Sequence, residues 1–286
     1  MKAKVIISSD SGIESIPGSS IVKVLPDEYH FSNIEVYKSA MEMDFHAFNL
    51  RLKLDPQAKV EIKGCSEENI RDILEDLSFE GYDLFYFILS PSKLSYYKPL
   101  IEKISREENN YNINYFVSKS EGFPVAYMAL QAQRLFDKKR TLEEVEEACY
   151  FYDSNNTVYL YAPEDDKLPK VERFQNEDEA FEIKGNNSTL YFLRRNDYSQ
   201  VRLKEKNKTL SPYIDVLLIE MGDKRTIPFV LYTNKHSLYT KAFIRELEKS
   251  FQNLKIPVFE MSPSLVLKYG LNCVAIGYVT KYDKEA

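Results

Sequence analysis

The sequence predicts an α/β protein of two domains, a mostly parallel helix-covered sheet followed by an α+β domain with a mixed sheet. Three features predict it. Two apolar runs, Val5-Ile6-Ile7 and Leu84-Phe85-Tyr86-Phe87-Ile88-Leu89, stop abruptly at hydroxyl-rich turns, Ser8-Ser9-Asp10-Ser11-Gly12 and Ser90-Pro91-Ser92-Lys93-Leu94-Ser95. Unbroken apolar runs are how strands buried on both faces read, and ligands of open α/β sheets bind outside the carboxyl ends of such strands. Strand and helix patterns then alternate as far as Tyr152. Beyond Asp153-Ser154-Asn155-Asn156 that rhythm changes, which puts the domains at 1–153 and 154–286.

In order along the first half, Val5–Ser8 and Ile21–Leu25 read as strands. Phe45–Leu54 has apolar residues at 45, 48 and 52, a helical spacing, with Asp44 as its N-cap. Ser66 caps a stronger helix: Glu67 and Glu68 suit the positive end of its dipole, and Ile70, Ile73, Leu74 and Leu77 form one face. Gly81 ends it before the Leu84–Leu89 strand. A helix over Tyr97–Arg106 takes Pro99 in its first turn. Tyr111–Val117 is then a strand, Val125–Phe136 a helix, and Thr141–Tyr152 a helix capped by Thr141. In the second half, Thr157–Tyr161, Ser188–Arg194, Gln200–Lys204, Pro228–Tyr232, Val258–Met261 and Cys273–Val279 read as strands. Thr240–Phe251 reads as an amphipathic helix and Glu164–Asn187 as a polar loop.

Composition removes several function classes. The 286 residues carry a net charge of -6, so no overall basic footprint for nucleic acid exists. No stretch approaches the roughly 18 apolar residues of a membrane span, and the three apolar residues after Lys4 are too few for a signal peptide. Cys65, Cys149 and Cys273 are odd in number and widely spaced, which argues against disulfides and zinc and fits a cytoplasmic location. With Gly 9 in the whole chain, neither Gly-x-Gly-x-x-Gly nor a Walker loop occurs, and no cofactor is expected. His30, His46 and His236 stand in no nucleophile motif, and Asp165-Asp166 lacks partners at metal-ligand spacing. Cys65 precedes a helix N-terminus, a position that lowers a thiol pKa, against the commoner reading of a buried inert cysteine.

Taken in order, Ser9-Asp10-Ser11, the helix Ser66–Leu77, Leu89-Ser90-Pro91-Ser92-Lys93-Leu94-Ser95, Ser118-Lys119-Ser120 and Gly277 resemble the DegV family, whose members include the bacterial fatty-acid-binding (FakB-type) proteins. Pro91 is an insertion within the family's Ser-Ser-Lys-Leu-Ser-Gly-Thr segment, and Tyr96-Tyr97 replaces its Gly-Thr. Ile62-Lys63-Gly64-Cys65 replaces Thr-Ser-Gln-Pro, which removes a hydroxyl. Lys268-Tyr269-Gly270-Leu271-Asn272 lacks the histidine and Gly-Pro-Gly of the C-terminal run, and the Gly-Gly-Arg-Ile-Ser segment expected near Lys167–Arg173 is missing. The resemblance implies the family's two-domain fold and a carrier without catalysis, which holds an acyl chain between two domains and presents it to a fatty-acid kinase.

A carrier of a fatty acid or similar amphiphile needs a long apolar slot. At ~0.8 kcal/mol per buried methylene, about sixteen carbons supply roughly 10 kcal/mol before the costs of binding. Its head group needs hydrogen-bond donors or a countercharge. Ser92 is the first candidate, set against a helix-capping role. Lys63 stands where a family hydroxyl should be and offers a positive charge, against the commoner fate of a solvated lysine. Ser11 and Ser95 are secondary candidates, and Asp10 orders its turn by accepting backbone N–H bonds. Two other readings compete: a DegV-like scaffold that has lost lipid binding and serves a structural or regulatory interaction, and a hydrolase using Ser92, which lacks a base.

Overall fold

The computed structural model describes residues 2–31, 35–39, 42, 43, 45–55, 58–108, 110–163, 188–193, 211–222, 225–251, 256–271 and 273–282. The chain divides into two compact units, one of Met1–Asp44, Lys59–Ser154 and Tyr282–Ala286, the other of Phe45–Ala58 and Asn155–Lys281. The passage at Ser154–Asn155 lies one residue from the expected boundary. The segment Phe45–Ala58, expected in the first domain, clusters with the second unit.

The first unit opens with β1 (Ala3–Ser8), three short 3-10 turns at Ser9–Ser11, Ile13–Ser15 and Ser19–Ile21, and β2 (Lys23–Leu25), so the expected second strand loses its first residues to a turn. There follow β3 (Glu28–Phe31) and β4 (Glu35–Tyr37); the chain then leaves this unit for α1 (Phe45–Leu54). It returns with β5 (Val60–Lys63), α2 (Glu67–Phe79), β6 (Leu84–Leu89), α3 (Pro91–Glu107), β7 (Asn112–Val117), α4 (Phe123–Asp137) and α5 (Leu142–Ser154). β2, β1, β6 and β7 make an all-parallel sheet in that order, as the apolar runs predict. Alternation along β6 sorts its side chains. Phe85, Phe87 and Leu89 pack with Ile70, Leu74 and Leu77 of α2 and Ile101 and Ile104 of α3. On the other face Tyr86 meets Phe136 of α4 edge to face, ring centroids 5.6 Å apart.

β2 covers only the second half of β1, from Ile6 onward. Gln133 of α4 replaces the missing strand: its Oε1 accepts the Val5 N–H at 2.8 Å and its Nε2 donates to the Ala3 carbonyl at 3.1 Å. A buried amide thus satisfies backbone groups that burial would otherwise strand. Ser66 caps α2 by accepting the Asn69 N–H at 3.2 Å. Thr141 and Glu144 cap α5 reciprocally, the Glu144 N–H donating to Thr141 Oγ1 at 3.3 Å and the Thr141 N–H to Glu144 Oε2 at 2.8 Å.

Two expectations need correction here. The helix placed at Tyr97–Arg106 begins six residues earlier, at Pro91. Proline at a first helical position loses no hydrogen bond and brings its φ already set, so Pro91 starts the helix rather than interrupting a turn. Pro99 therefore lies in the helix interior, not its first turn. Residues 60–63, given no element from sequence, form β5, which pairs antiparallel with β3 in a small sheet ordered β4-β3-β5.

In the second unit, α1 is joined by β8 (Asn156–Pro163), β9 (Ser188–Leu193), α6 (Ser211–Met221), β10 (Thr226–Tyr232), α7 (Leu238–Ser250), β11 (Val258–Glu260), α8 (Pro263–Tyr269) and β12 (Val274–Thr280). The sheet runs β11-β10-β12-β8-β9, parallel only between β10 and β11, and is the mixed sheet the sequence predicts. Leu217 of α6, Val230, Phe243 and Leu247 of α7, and Val274 and Ile276 form its core. Asn49 of α1 donates through Nδ2 to the Thr233 carbonyl. Asp44, Gln200–Lys204, Asp165-Asp166 and Lys167–Arg173 lie outside the described residues. No described helix is long and apolar enough to cross a membrane.

Candidate functional site

β1 and β6 pair in parallel with Ile7 opposite Ile88, so their carboxyl ends lie side by side and the turns that follow converge. They meet at Asp10, which is buried. Its Oδ1 accepts the Ser8 hydroxyl proton. Its Oδ2 accepts two more, from Ser90 at 2.5 Å and Ser92 at 2.6 Å. The two serine oxygens are 3.1 Å apart. Ser90 has the backbone of an N-cap for α3 but makes no side-chain cap bond, because its hydroxyl is spent on Asp10. Ser92 is therefore not the cap either; it stands one residue after Pro91 in the first turn of the helix. Ser11 donates to the Ser8 carbonyl at 2.8 Å and ties the same turn, while Gly12, with φ 71, lets the chain reverse between two 3-10 turns. Side-chain hydroxyls thus take part in fixing Asp10, a contribution the expected backbone N–H role did not include.

Two further carboxyls lie against this turn. Glu14 accepts the Ser9 hydroxyl proton. Burial pushes Glu14 up to about 7 from an ordinary 4.5; the Ser9 bond opposes the shift, and the charges of Asp27 and Asp10 add to it. Asp27, fully buried just beyond β2, is paired with the Lys93 ammonium at 2.8 Å, and the lysine side chain is itself only 13% exposed.

The Glu14 shift has a consequence for stability. Its folded pKa lies above the unfolded value, so between about 4.5 and 7 the folded chain holds more of this proton than the unfolded chain. Stability from this group is present below pH 4.5 and is lost as the pH rises through about 7. Glu14→Gln is expected to match the parent at pH 4.5 and to exceed it at pH 8 by on the order of 2 kcal/mol in urea unfolding. Equal stability of the two proteins at both pH values would contradict this.

The four residues proposed from sequence fare differently. Ser92 and Ser11 both join the Asp10 turn. Ser95, one turn further along α3, is exposed. Lys63 lies on β5 with its side chain half exposed, 3.8 Å from Glu61. The loop after it is closed by the tyrosines that replace the family's Gly-Thr. Tyr97 accepts the Cys65 N–H at 2.9 Å, and Tyr96 reaches the Gly64 and Cys65 carbonyls at 3.3 Å each. A Cβ on Gly64 would fall 2.6 Å from the Tyr96 ring, so glycine there and tyrosine at 96 depend on each other. Cys65 is buried and its thiol is pushed up to about 12, chiefly by burial, which makes it inert.

Ser90, Glu14, Asp27 and Lys93 are not evident from sequence reasoning alone. Glu14 and Asp27 each follow an apolar residue or proline in an apolar stretch, and an acid in such a stretch is the one available signal. A parallel arrangement closes the next strand. After β7, Ser118 donates to Asp153 Oδ1 at 2.7 Å, Ser120 does so at 3.1 Å, and the Lys119 N–H at 3.1 Å. Among the described residues, no group of three His, Cys, Asp or Glu side chains is arranged to hold a metal ion.

Compared by sequence with the curated proteins, the chain matches none. Its fold is shared with solved structures. DegV from Bacillus subtilis, described as a fatty acid binding protein, is similar with a TM-score of 0.77 at 15% identity, over 98% of this chain and 100% of that one. A fatty acid binding DegV family protein from Streptococcus agalactiae gives 0.76 at 14%, over 99% and 100%. The Streptococcus pneumoniae fatty acid kinase B3 protein, solved loaded with linoleic acid, gives 0.71 at 14%, over 98% and 100%. The family model of the uncharacterised DegV proteins matches residues 2–281. With nearly its whole length matched, the chain belongs to the DegV family.

Proposed function

We propose that this protein is a cytoplasmic carrier, without catalysis of its own, that binds a fatty acid or similar amphiphile with its head group against Ser92. The observation that carries the reading is the serine turn at the end of β6, retained in a chain that matches the family from residue 2 to 281. Ser92 stands at the amino-terminal end of a 17-residue helix, where the dipole favours an oxygen-rich head group. Ser11 shapes the turn beneath it, and the exposed Ser95 and Lys63 offer polar contacts on the solvent side. The S. pneumoniae relative carries a fatty acid kinase name, which supports a kinase of that kind as the partner that receives the bound chain.

Native mass spectrometry of the protein purified from cells tests this. A co-purifying mass of a few hundred daltons, identified as an acyl chain after extraction, is the expected result. Ser92→Ala is expected to lower fatty-acid affinity about tenfold, since a buried polar head group left without its hydrogen-bond partner costs ~1–3 kcal/mol. Full retention of lipid by the variant would remove Ser92 from the site. A protein that emerges empty and binds no fatty acid would instead favour the scaffold reading.

A further inference from the structure

We infer that the head group enters this site as an uncharged hydrogen-bond donor, a fatty acid together with its proton, so that one proton is taken up for each chain bound above neutral pH. The inference rests on the carrier reading and concerns the chemical form of the ligand, which that reading leaves open. It follows from counting protons. A serine hydroxyl has one proton to donate. Those of Ser8, Ser90 and Ser92 all point to Asp10, the pattern of a carboxylate accepting three donors. The 3.1 Å contact between the Ser90 and Ser92 oxygens therefore has no proton to spare. Ser92 faces an incoming ligand with lone pairs, and lone pairs recognise a donor.

Charge points the same way. An ionised carboxylate arriving at Ser92 would come beside Asp10, and like charges sharing a site retain a proton between them. The countercharge that would prevent this is engaged: Lys93 is held by Asp27 at 2.8 Å. Also near the turn are Glu14 from the second 3-10 turn, which adds negative charge when ionised, and Tyr97 from α3, whose hydroxyl accepts the Cys65 N–H. α4, packed on β1, carries no charged side chain before Arg134. Three carboxyls, Asp10, Glu14 and Asp27, thus gather at this corner, with the Lys93 ammonium paired to Asp27. An alcohol head group, which donates without ionising, meets the same requirement. A methyl ester does not.

The test uses the full-length protein stripped of lipid, titrated with dodecanoic acid, 1-dodecanol and methyl dodecanoate. Calorimetry at pH 8 in two buffers of different ionisation enthalpy counts the protons. The expected result is one proton taken up per dodecanoate, none per dodecanol, and an apparent dodecanoate Kd that rises about tenfold per pH unit from pH 7 to 9. The ester, lacking a donor, is expected to bind at least tenfold more weakly than the alcohol. Glu14→Gln should leave the proton count unchanged; its loss there would assign the proton to Glu14 and overturn the inference. Tight dodecanoate binding with no proton uptake and no pH dependence would overturn it too, with the carrier reading intact. Binding of none of the three compounds would end both.

Discussion

Lys93→Met is expected to destabilise the protein by about 3–5 kcal/mol, the range seen when one partner of a buried ion pair is removed. Asp27 is fully buried and pairs with Lys93 at 2.8 Å, so the variant takes the Lys93 ammonium away from a carboxylate held out of water. The pair itself need not be strongly stabilising, because burying two charges costs nearly what their attraction returns. Adding Asp27→Asn should therefore restore much of the loss. Urea unfolding of the three variants at pH 7 decides the matter: a double variant as unstable as Lys93→Met alone would mean that packing of the lysine stem, not its charge, holds this corner.

Gly277→Ala is the second large effect. Gly277 sits in β12, opposite Phe229 on β10 and Val158 on β8. A methyl group there would fall 2.2 Å from the Thr157 carbonyl oxygen and 2.7 Å from the Phe229 ring. Strand β12 has neighbours on both sides and cannot slide away, and Phe229 is fully buried. Overpacking a well-filled core costs about 1–3 kcal/mol, occasionally more, and contact with backbone rather than a flexible side chain puts this site near roughly 3 kcal/mol or above. A thermal midpoint within a degree or two of the parent would show that the sheet can yield there.

What was legible in the sequence is what depends on neighbours a few residues away. The helix after Ser66 announced itself through its cap, its two glutamates and its i, i+3, i+4 face. The strand Leu84–Leu89 did so through an unbroken apolar run. β3, β4 and β5 escaped because each has only three or four residues with polar ones interleaved. α6 escaped because Tyr213-Ile214-Asp215-Val216-Leu217-Leu218-Ile219 is apolar almost all round and shows no helical stripe. α8, at seven residues, is too short to show a period. The site was legible within the hydroxyl-rich turns that hold Ser11 and Ser92, and hidden where distant residues meet. Asp10 meets Ser92 across 82 positions and Lys93 meets Asp27 across 66, distances that only the parallel pairing of β1, β2 and β6 closes.

The excursion of Phe45–Ala58 into the second unit bears on synthesis of the chain. That helix leaves the ribosome about a hundred residues before β8, and its Asn49 amide cannot reach the Thr233 carbonyl until nearly two hundred more have followed. A gene cut at residue 154 would therefore yield two orphans, one fragment carrying a helix that belongs to the other.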